Sequence, residues 1–408
     1  MTTPTRSRHE PARWRTGDVH AVAQAPAWPE AEPLTVERCR AVFDDPPPFT
    51  LGIEEELMLV DPEALELAPV NDEVVALFDE NSPYRKELRA TQIELVTPVC
   101  STAKEACEAL ADARAGLVGA LDGRVRILGA GTHPTSTTWG SVSADERYEM
   151  LADEYEWAAL RSVMCGLHVH VAVGGAERTL AVHNALRSYL PELGALAANS
   201  PFAEGRDTGL CSIRAKLNEM FPRSGVPPVF RSWEQYVAFL DWGRRGGLFP
   251  DSSHLWWDLR LHPTYGTVEI RVCDAQTTVS DAAAVGSVIQ ALVAWLALRY
   301  DAGEHLRGGD YFRIRENSWR ALRHGVNGWL VDLDTGEQRS TREELAALLD
   351  ELGPIGHELG THEQLSDARA LLGGSGADRQ RRVADRDGID GLVRWLVAET
   401  EGDAGSGF

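Results

Sequence analysis

Four short segments of the chain alternate apolar with ionisable residues at the two-residue period of a β-strand. In "FTLGIEEELMLVDP", Phe49 to Pro62, that period puts Glu54, Glu56 and Met58 on one face and Ile53, Glu55, Leu57 and Leu59 on the other. "TQIELVTP" sets Gln92 and Glu94 against Ile93 and Leu95, and "CGLHVHVAV" sets His168 and His170 against Leu167, Val169 and Val171. "GTVEIRVCD" aligns Thr267, Glu269, Arg271 and Cys273 against Val268, Ile270 and Val272. Segments with one apolar face must bury it, which predicts a mixed or antiparallel sheet with helices packed on one side.

Taken singly, each polar face fits ordinary solvation, and His168 and His170 fit a satisfied core or surface position as well as a ligand. The combination is different, because solvated faces favour Thr, Ser, Lys and mixed charges, whereas these gather glutamates, histidines and an arginine. If the strands are neighbours, the carboxylates repel one another and need cations to stay ionised. Oxygen donors with an occasional imidazole suit magnesium or manganese, and magnesium usually arrives with phosphates. Glu55 points to the core side, where a carboxylate is expensive unless paired, and a structural partnership with an arginine or backbone donor is expected for it.

Composition narrows the chemistry further. With 62 acidic against 40 basic residues the net charge is −22, so a nucleic-acid backbone would be repelled. Lys86, Lys104 and Lys216 are the only lysines and none lies in a G-x-x-x-x-G-K-[ST] arrangement, which excludes a P-loop. Bound phosphates must then be met by arginines and metal ions. Candidates lie in the stretch from Asn199 to Gly225, with Arg206, Asp207, Arg214 and Arg223, and from Arg313 to Gly325, with Arg315, Asn317, Arg320 and His324. Most of these are expected to be solvated charges.

Six cysteines (Cys39, Cys100, Cys107, Cys165, Cys211 and Cys273) without a C-x-x-C pair predict buried thiols in a reducing, cytoplasmic compartment. The N-terminus lacks an apolar signal core, and the apolar run from Val288 to Leu298 is too short for a bilayer.

Residues 1–47, rich in Pro, Arg and acidic groups and ending in "DDPPPF", are expected to form a mobile arm, 48–400 a single catalytic domain that is mainly helical after about 300, and 401–408 a loose tail. Capping boxes predict helix starts at Thr102/Glu105, Ser143/Glu146, Ser232/Gln235 and Thr341/Glu344. Another helix should follow Ser280-Asp281 to about Tyr300, and "LLGGSGADRQRR", residues 371–382, reads as a loop. Strands are predicted over 50–60, 91–97, 125–129, 166–173, 257–262 and 267–274, the last two joined by the turn "PTYG".

Seven segments in order, "FTLGIEEELMLVDP", "TQIELVTP", "GTHPTSTTWG", "CGLHVHVAV", "NSPFAEGRDTGLCSIRAKLNEMFPRSG", "GTVEIRVCDAQTT" and "RENSWRALRHG", give the chain a resemblance to the YbdK-type carboxylate–amine ligases, also called glutamate–cysteine ligase type 2. The likeness covers about residues 48–400. It implies an α+β, glutamine-synthetase-like fold, a curved and mostly antiparallel sheet with the active site on its concave face and helices outside. It implies ATP-dependent joining of a carboxylate to an amine, with weak glutamate–cysteine ligase activity, through an acyl phosphate.

The same resemblance makes Glu54, Glu56, Glu94, His168 and Glu269 ligands for two or more Mg2+ or Mn2+ ions. It gives Glu269 and Arg271 catalytic roles, Arg271 steadying the transferred phosphoryl group, and assigns His170, Arg206 and Arg214 to phosphate or substrate carboxylate. Expected partners are ATP and amino acids rather than nucleic acid or membrane, and a homo-oligomer is compatible with this. "SIRAKLNEMFPRSG" around Arg214 departs from the aromatic-rich family pattern, which bears on the substrate rather than the reaction. The rival readings are a ligase of the same mechanism with another acid and amine, a metal-dependent hydrolase suggested by "HVH", and a non-catalytic nucleotide sensor that keeps the fold.

Overall fold

The computed structural model describes residues 34–402 apart from 138 and 162. Its centre is a seven-stranded antiparallel sheet built from β1 (Leu51–Val60), β2 (Tyr84–Lys86), β3 (Gln92–Val96), β4 (Arg126–Leu128), β5 (Gly166–Ala172) and a late hairpin. Two short strands, β6 (Phe202–Ala203) and β7 (Arg206–Asp207), form a separate ribbon before that hairpin, β8 (Leu259–His262) and β9 (Thr267–Asp274). The strand order is β2-β3-β1-β5-β9-β8, with β4 also pairing β1. A second ribbon, β10 (Trp329–Val331) and β11 (Gln338–Ser340), lies among the late helices.

The helices are α1 (Val36–Asp44), α2 (Asn71–Val75), α3 (Ala103–Leu121), α4 (Glu146–Leu160), α5 (Ala176–Leu186), α6 (Leu190–Leu196) and α7 (Arg214–Asn218). They continue with α8 (Trp233–Arg245), α9 (Val279–Asp301), α10 (Tyr311–His324), α11 (Thr341–Glu358), α12 (His362–Leu371) and α13 (Gly376–Gly402).

The alternation read from sequence decides the layering. Leu51, Ile53, Leu167, Val169, Val171, Val268 and Ile270 turn one sheet face into a core that also takes in the buried side of α9. This 23-residue helix is longer than the apolar run suggested. It is the one described helix apolar and long enough to cross a membrane, and 83% of its apolar window is buried inside the fold. Its N-cap is Thr278, whose side chain accepts from the Asp281 amide. At one end of the opposite face Met58, Val60 and Leu128 pack beneath Leu392 and Leu396 of α13, leaving the remainder of that face for polar residues.

Three expected boundaries need correction. The arm does not extend to residue 47, because Val36–Asp44 is helical and plants Cys39 and Phe43, both 0% exposed, in the main core. Residues 1–33 of the expected arm and 403–408 of the expected tail lie outside the described residues, while 401 and 402 belong to α13. Within the expected loop over 371–382, the chain leaves helix only between Leu371 and Gly376.

Caps and alternation shift locally. The Thr102 and Ser232 caps form, but Asp145 and Ser340 cap α4 and α11 in place of Ser143 and Thr341. Ser143 instead accepts from Asn71. On β9, Leu167 faces Cys273 while Val169 faces Ile270, so Arg271 and Val272 together oppose His168. That bulge flips the alternation beyond it, and Cys273 is buried with Leu167 rather than aligned with Glu269.

Candidate active site

Strand register brings the predicted polar residues together. Glu54 pairs across from His168, Glu56 from Glu94, and His170 from Glu269. Because all four strands present these residues on one face, their heads converge, and Glu54, Glu56, Glu94 and His168 line a cleft of about 290 Å³. The Nδ1 atom of His168 lies 3.4 Å from Glu54 and its Nε2 lies 3.7 Å from Glu56. His170 Nε2 lies 3.2 Å from Glu54 and 3.8 Å from Glu269.

Two groups of potential cation ligands result, Glu54–His168–Glu269 and Glu56–Glu94–His168, each with donor atoms within 4.8 Å of one another. The donor set fits a hard divalent cation, being carboxylate oxygens with one shared imidazole. The buried Nε2 atoms of His168 and His170 have no hydrogen-bond partner, although carboxylates stand beside them. A cation is the group that would satisfy such an arrangement.

The electrostatics divide the carboxylates. Burial and the nearby charges of Glu54, Glu87 and Glu56 push Glu94 well above the usual carboxylate range. Burial and Glu56 push Glu87 up to about 8. Burial works against ionised Glu54 and Glu269 as well, but the imidazoles beside Glu54, and Arg260 with Arg271 beside Glu269, hold both below the ordinary range. Burial, with Arg271 acting in the same direction, lowers His168 and keeps it a neutral donor.

Glu269 is 0% exposed and gripped from two sides. Arg260, directly across on β8, holds it through two bonds of 2.5 and 2.9 Å, and Arg271 pairs with Oε1. Arg271 Nη1 also lies 3.4 Å from His168 Nδ1, so this guanidinium sits at the junction of the two ligand groups. Arg214 enters over Gly166, where a Cβ would stand 2.2 Å from its Nη2, and donates to the Arg271 carbonyl at 3.1 Å. Arg206 is not brought to the cleft, since it is exposed on the β6–β7 ribbon. Among the other sequence candidates, Arg223 stacks on Phe249 and Trp256, and Asn317 bonds the Val331 backbone in both directions.

Glu55 takes the place expected of it. Its carboxylate is fully buried and receives bonds of 2.6 and 2.8 Å from Arg114 of α3, which also donates to the carbonyls of Gln276 and Thr277. The sequence reading missed Glu87 and Arg260. Glu87 lies between elements too short to show a period, while Arg260 alternates with Leu259 and Leu261 in "DLRLHP", a signal that could have placed it on the polar face.

The cleft has two distinct ends. Toward Thr267 and His262 lie Glu54, Glu269 and His170, and His262 stacks on Tyr265 with ring centroids 4.3 Å apart. Ser253 and His262 also border an adjoining groove of about 610 Å³. Toward Gly166 lie Glu56, whose Oε2 accepts from the Gly166 amide at 2.6 Å, and the cleft's apolar side chains.

Comparison with known proteins assigns the chain to a family. The model of the glutamate–cysteine ligase family 2 matches residues 50–399. The chain belongs to this family. A relative from Rubrobacter xylanophilus, provisionally named glutamate–cysteine ligase 2-3, is 38% identical over 365 residues, 88% of this chain and 99% of that one. Another from Thermobifida fusca, provisionally named glutamate–cysteine ligase 2, is 35% identical over 360 residues, 85% of this chain and 90% of its own.

Among solved structures, the glutamate–cysteine ligase of Francisella tularensis in complex with AMP superposes with a TM-score of 0.66 at 13% identity, covering 88% of this chain and 89% of that one. A bifunctional glutathione synthetase from Pasteurella multocida gives 0.63 at 15% identity, over 90% of this chain and 54% of the other. These share the fold, the α+β, glutamine-synthetase-like architecture expected from the sequence. Family membership makes the chain a ligase of the glutamate–cysteine ligase type, acting on small molecules. The six cysteines are buried and form no disulfide among the described residues.

Proposed function

We propose that the cleft joins the side-chain carboxyl of glutamate to the amine of cysteine, using ATP and passing through an acyl phosphate. A carboxylate oxygen of glutamate attacks the terminal phosphorus of ATP, the bond to the bridging oxygen breaks, and ADP leaves. The amine nitrogen then attacks the acyl carbon, the carbon–oxygen bond to phosphate breaks, and the nitrogen loses a proton. Neither step needs a covalent link to the protein.

The observation that carries this reading is the pair of three-donor groups sharing His168, with the Arg271 guanidinium at their junction. Glu54, His168 and Glu269 would hold one cation, Glu56, Glu94 and His168 another, and Glu87 faces the second group. Bound there, divalent cations would neutralise the carboxylates and draw charge from phosphoryl oxygens. Arg271 would stabilise charge on the phosphoryl group in flight, and Arg260 keeps Glu269 oriented and ionised. Arg214 lines the same cleft and His170 stands behind Glu54, and both serve as phosphate or carboxylate contacts, whereas the exposed Arg206 has no part in this proposal.

The nucleotide belongs at the His262 end. A cleft of about 290 Å³ is at the lower limit of sites that enclose a drug-sized ligand, about 300–1,000 Å³, and the adjoining groove gives a nucleoside room to extend. The test is ADP release by the purified protein with Mg2+, glutamate and cysteine, each omitted in turn. Loss of ADP formation in Glu54→Gln and Glu269→Gln is expected, with retained fold. Normal turnover in either variant, or cation-dependent hydrolysis that needs no ATP, would refute the proposal.

A further inference from the structure

Phosphoryl transfer uses carboxylates, cations and arginines, yet the Gly166 end of the cleft carries an apolar wall that this chemistry does not employ. Leu88, Leu151, Met164, Phe221 and Trp256 supply it. Its position follows from the strand register. Met164 precedes β5, Trp256 precedes β8, and Gln92 ties the wall to β3 by donating to the Met164 carbonyl at 2.7 Å. Its Met164 side lies beside Glu56, whose Oε2 accepts from the nearby Gly166 amide.

The wall is fixed before any ligand arrives. Phe221 and Trp256 meet with ring centroids 5.1 Å apart, and Tyr155 closes against both edge-on at 5.8 and 5.2 Å. Arg223 lies over Trp256 and donates to the Tyr155 hydroxyl at 2.8 Å, while Asn218 holds the Trp256 carbonyl at 3.0 Å. Side chains braced in this way present a shaped apolar surface at little ordering cost.

With the nucleotide at one end and the acyl phosphate over the cation ligands, the other end is left to the amine. Building on the ligase reading above, we infer that Phe221 and Trp256 select the amine, and that the site favours amino acids with branched aliphatic or aromatic side chains, of which cysteine fills only a part. Each further methylene buried against such a wall is worth about fourfold in the specificity constant. Leucine places two more heavy atoms on the wall than cysteine does, so roughly a tenfold preference for leucine is expected.

The experiment compares kcat/KM for cysteine, leucine, phenylalanine, serine and lysine at saturating ATP, Mg2+ and glutamate, with hydroxylamine as a small nucleophile that traps the acyl phosphate. Glutamyl hydroxamate formation tests the ligase reading by itself, since hydroxylamine needs no side-chain pocket. Leucine or phenylalanine exceeding cysteine, with serine and lysine poorest, supports the inference. Hydroxamate formed while cysteine outperforms both larger amines tenfold or more overturns it and leaves the ligase reading intact.

Two variants complete the test. Trp256→Ala should collapse the leucine-to-cysteine ratio at least fivefold, and Trp256→Phe should restore most of it. A raised KM for ATP in Trp256→Ala with an unchanged amine ratio would assign the wall to the nucleobase instead and overturn the inference.

Discussion

Replacing Arg114 with Met tests how one strand carries both structure and chemistry. Arg114 and Glu55 are each 0% exposed, and the guanidinium makes two bonds to the carboxylate and two to the carbonyls of Gln276 and Thr277. Removing the cation leaves a buried carboxylate uncompensated, a loss of about 3–5 kcal/mol. For a folded body of this size the entropy of unfolding, about 2.1 cal/mol/K per residue, turns 4 kcal/mol into a fall of roughly 5 °C in the melting temperature. Pairing Arg114→Met with Glu55→Leu should recover most of it, because a hydrophobic replacement of both partners is often neutral.

The assay is thermal unfolding followed by circular dichroism, run beside ADP release. Glu54→Gln and Glu56→Gln, the neighbours on either side of Glu55, should cost less in melting temperature, because both side chains keep some exposure while Glu55 has none. They should also lose turnover. A Glu55→Gln protein that melts normally but forms no ADP would refute the division of labour along β1.

Arg271→Ala is expected to lower kcat by about 100-fold to 1,000-fold with little change in ATP binding, measured by steady-state kinetics and equilibrium titration; a loss confined to affinity contradicts its place at the transferring group. Glu192 is buried with Oε2 unpartnered, and burial raises it to about 7. Between an unfolded value near 4.3 and that folded value the native state binds the extra proton, so this group's contribution to stability falls as pH rises from about 4 to 7. Glu192→Gln should therefore stabilise the protein at pH 8 and flatten that slope in urea titrations; an unchanged slope contradicts the assignment.

Period-two alternation made the main strands legible, because a sheet face that must be buried leaves a pattern that survives without knowledge of neighbours. It put Glu54, Glu56, Glu94, His168 and Glu269 on a single surface, and register then brought them into contact. What stayed hidden depended on partners distant in sequence. Arg260 gains meaning only through the carboxylate across the hairpin, and Glu87 only through the nearby charge of Glu56. Arg206 looked like Arg214 as a loop arginine, but only Arg214 is threaded over a glycine into the cleft. Cys273 was misplaced because a single extra residue in β9 reverses every later side chain.

In the proposed reaction the cleft moves a phosphoryl group onto a carboxylate oxygen. Glutamate labelled with 18O in its side-chain carboxyl should pass one labelled oxygen to the phosphate released in each turnover, as read by mass spectrometry of that phosphate. Product formed with unlabelled phosphate would contradict the acyl-phosphate route and the roles given to Arg271 and the shared acidic face.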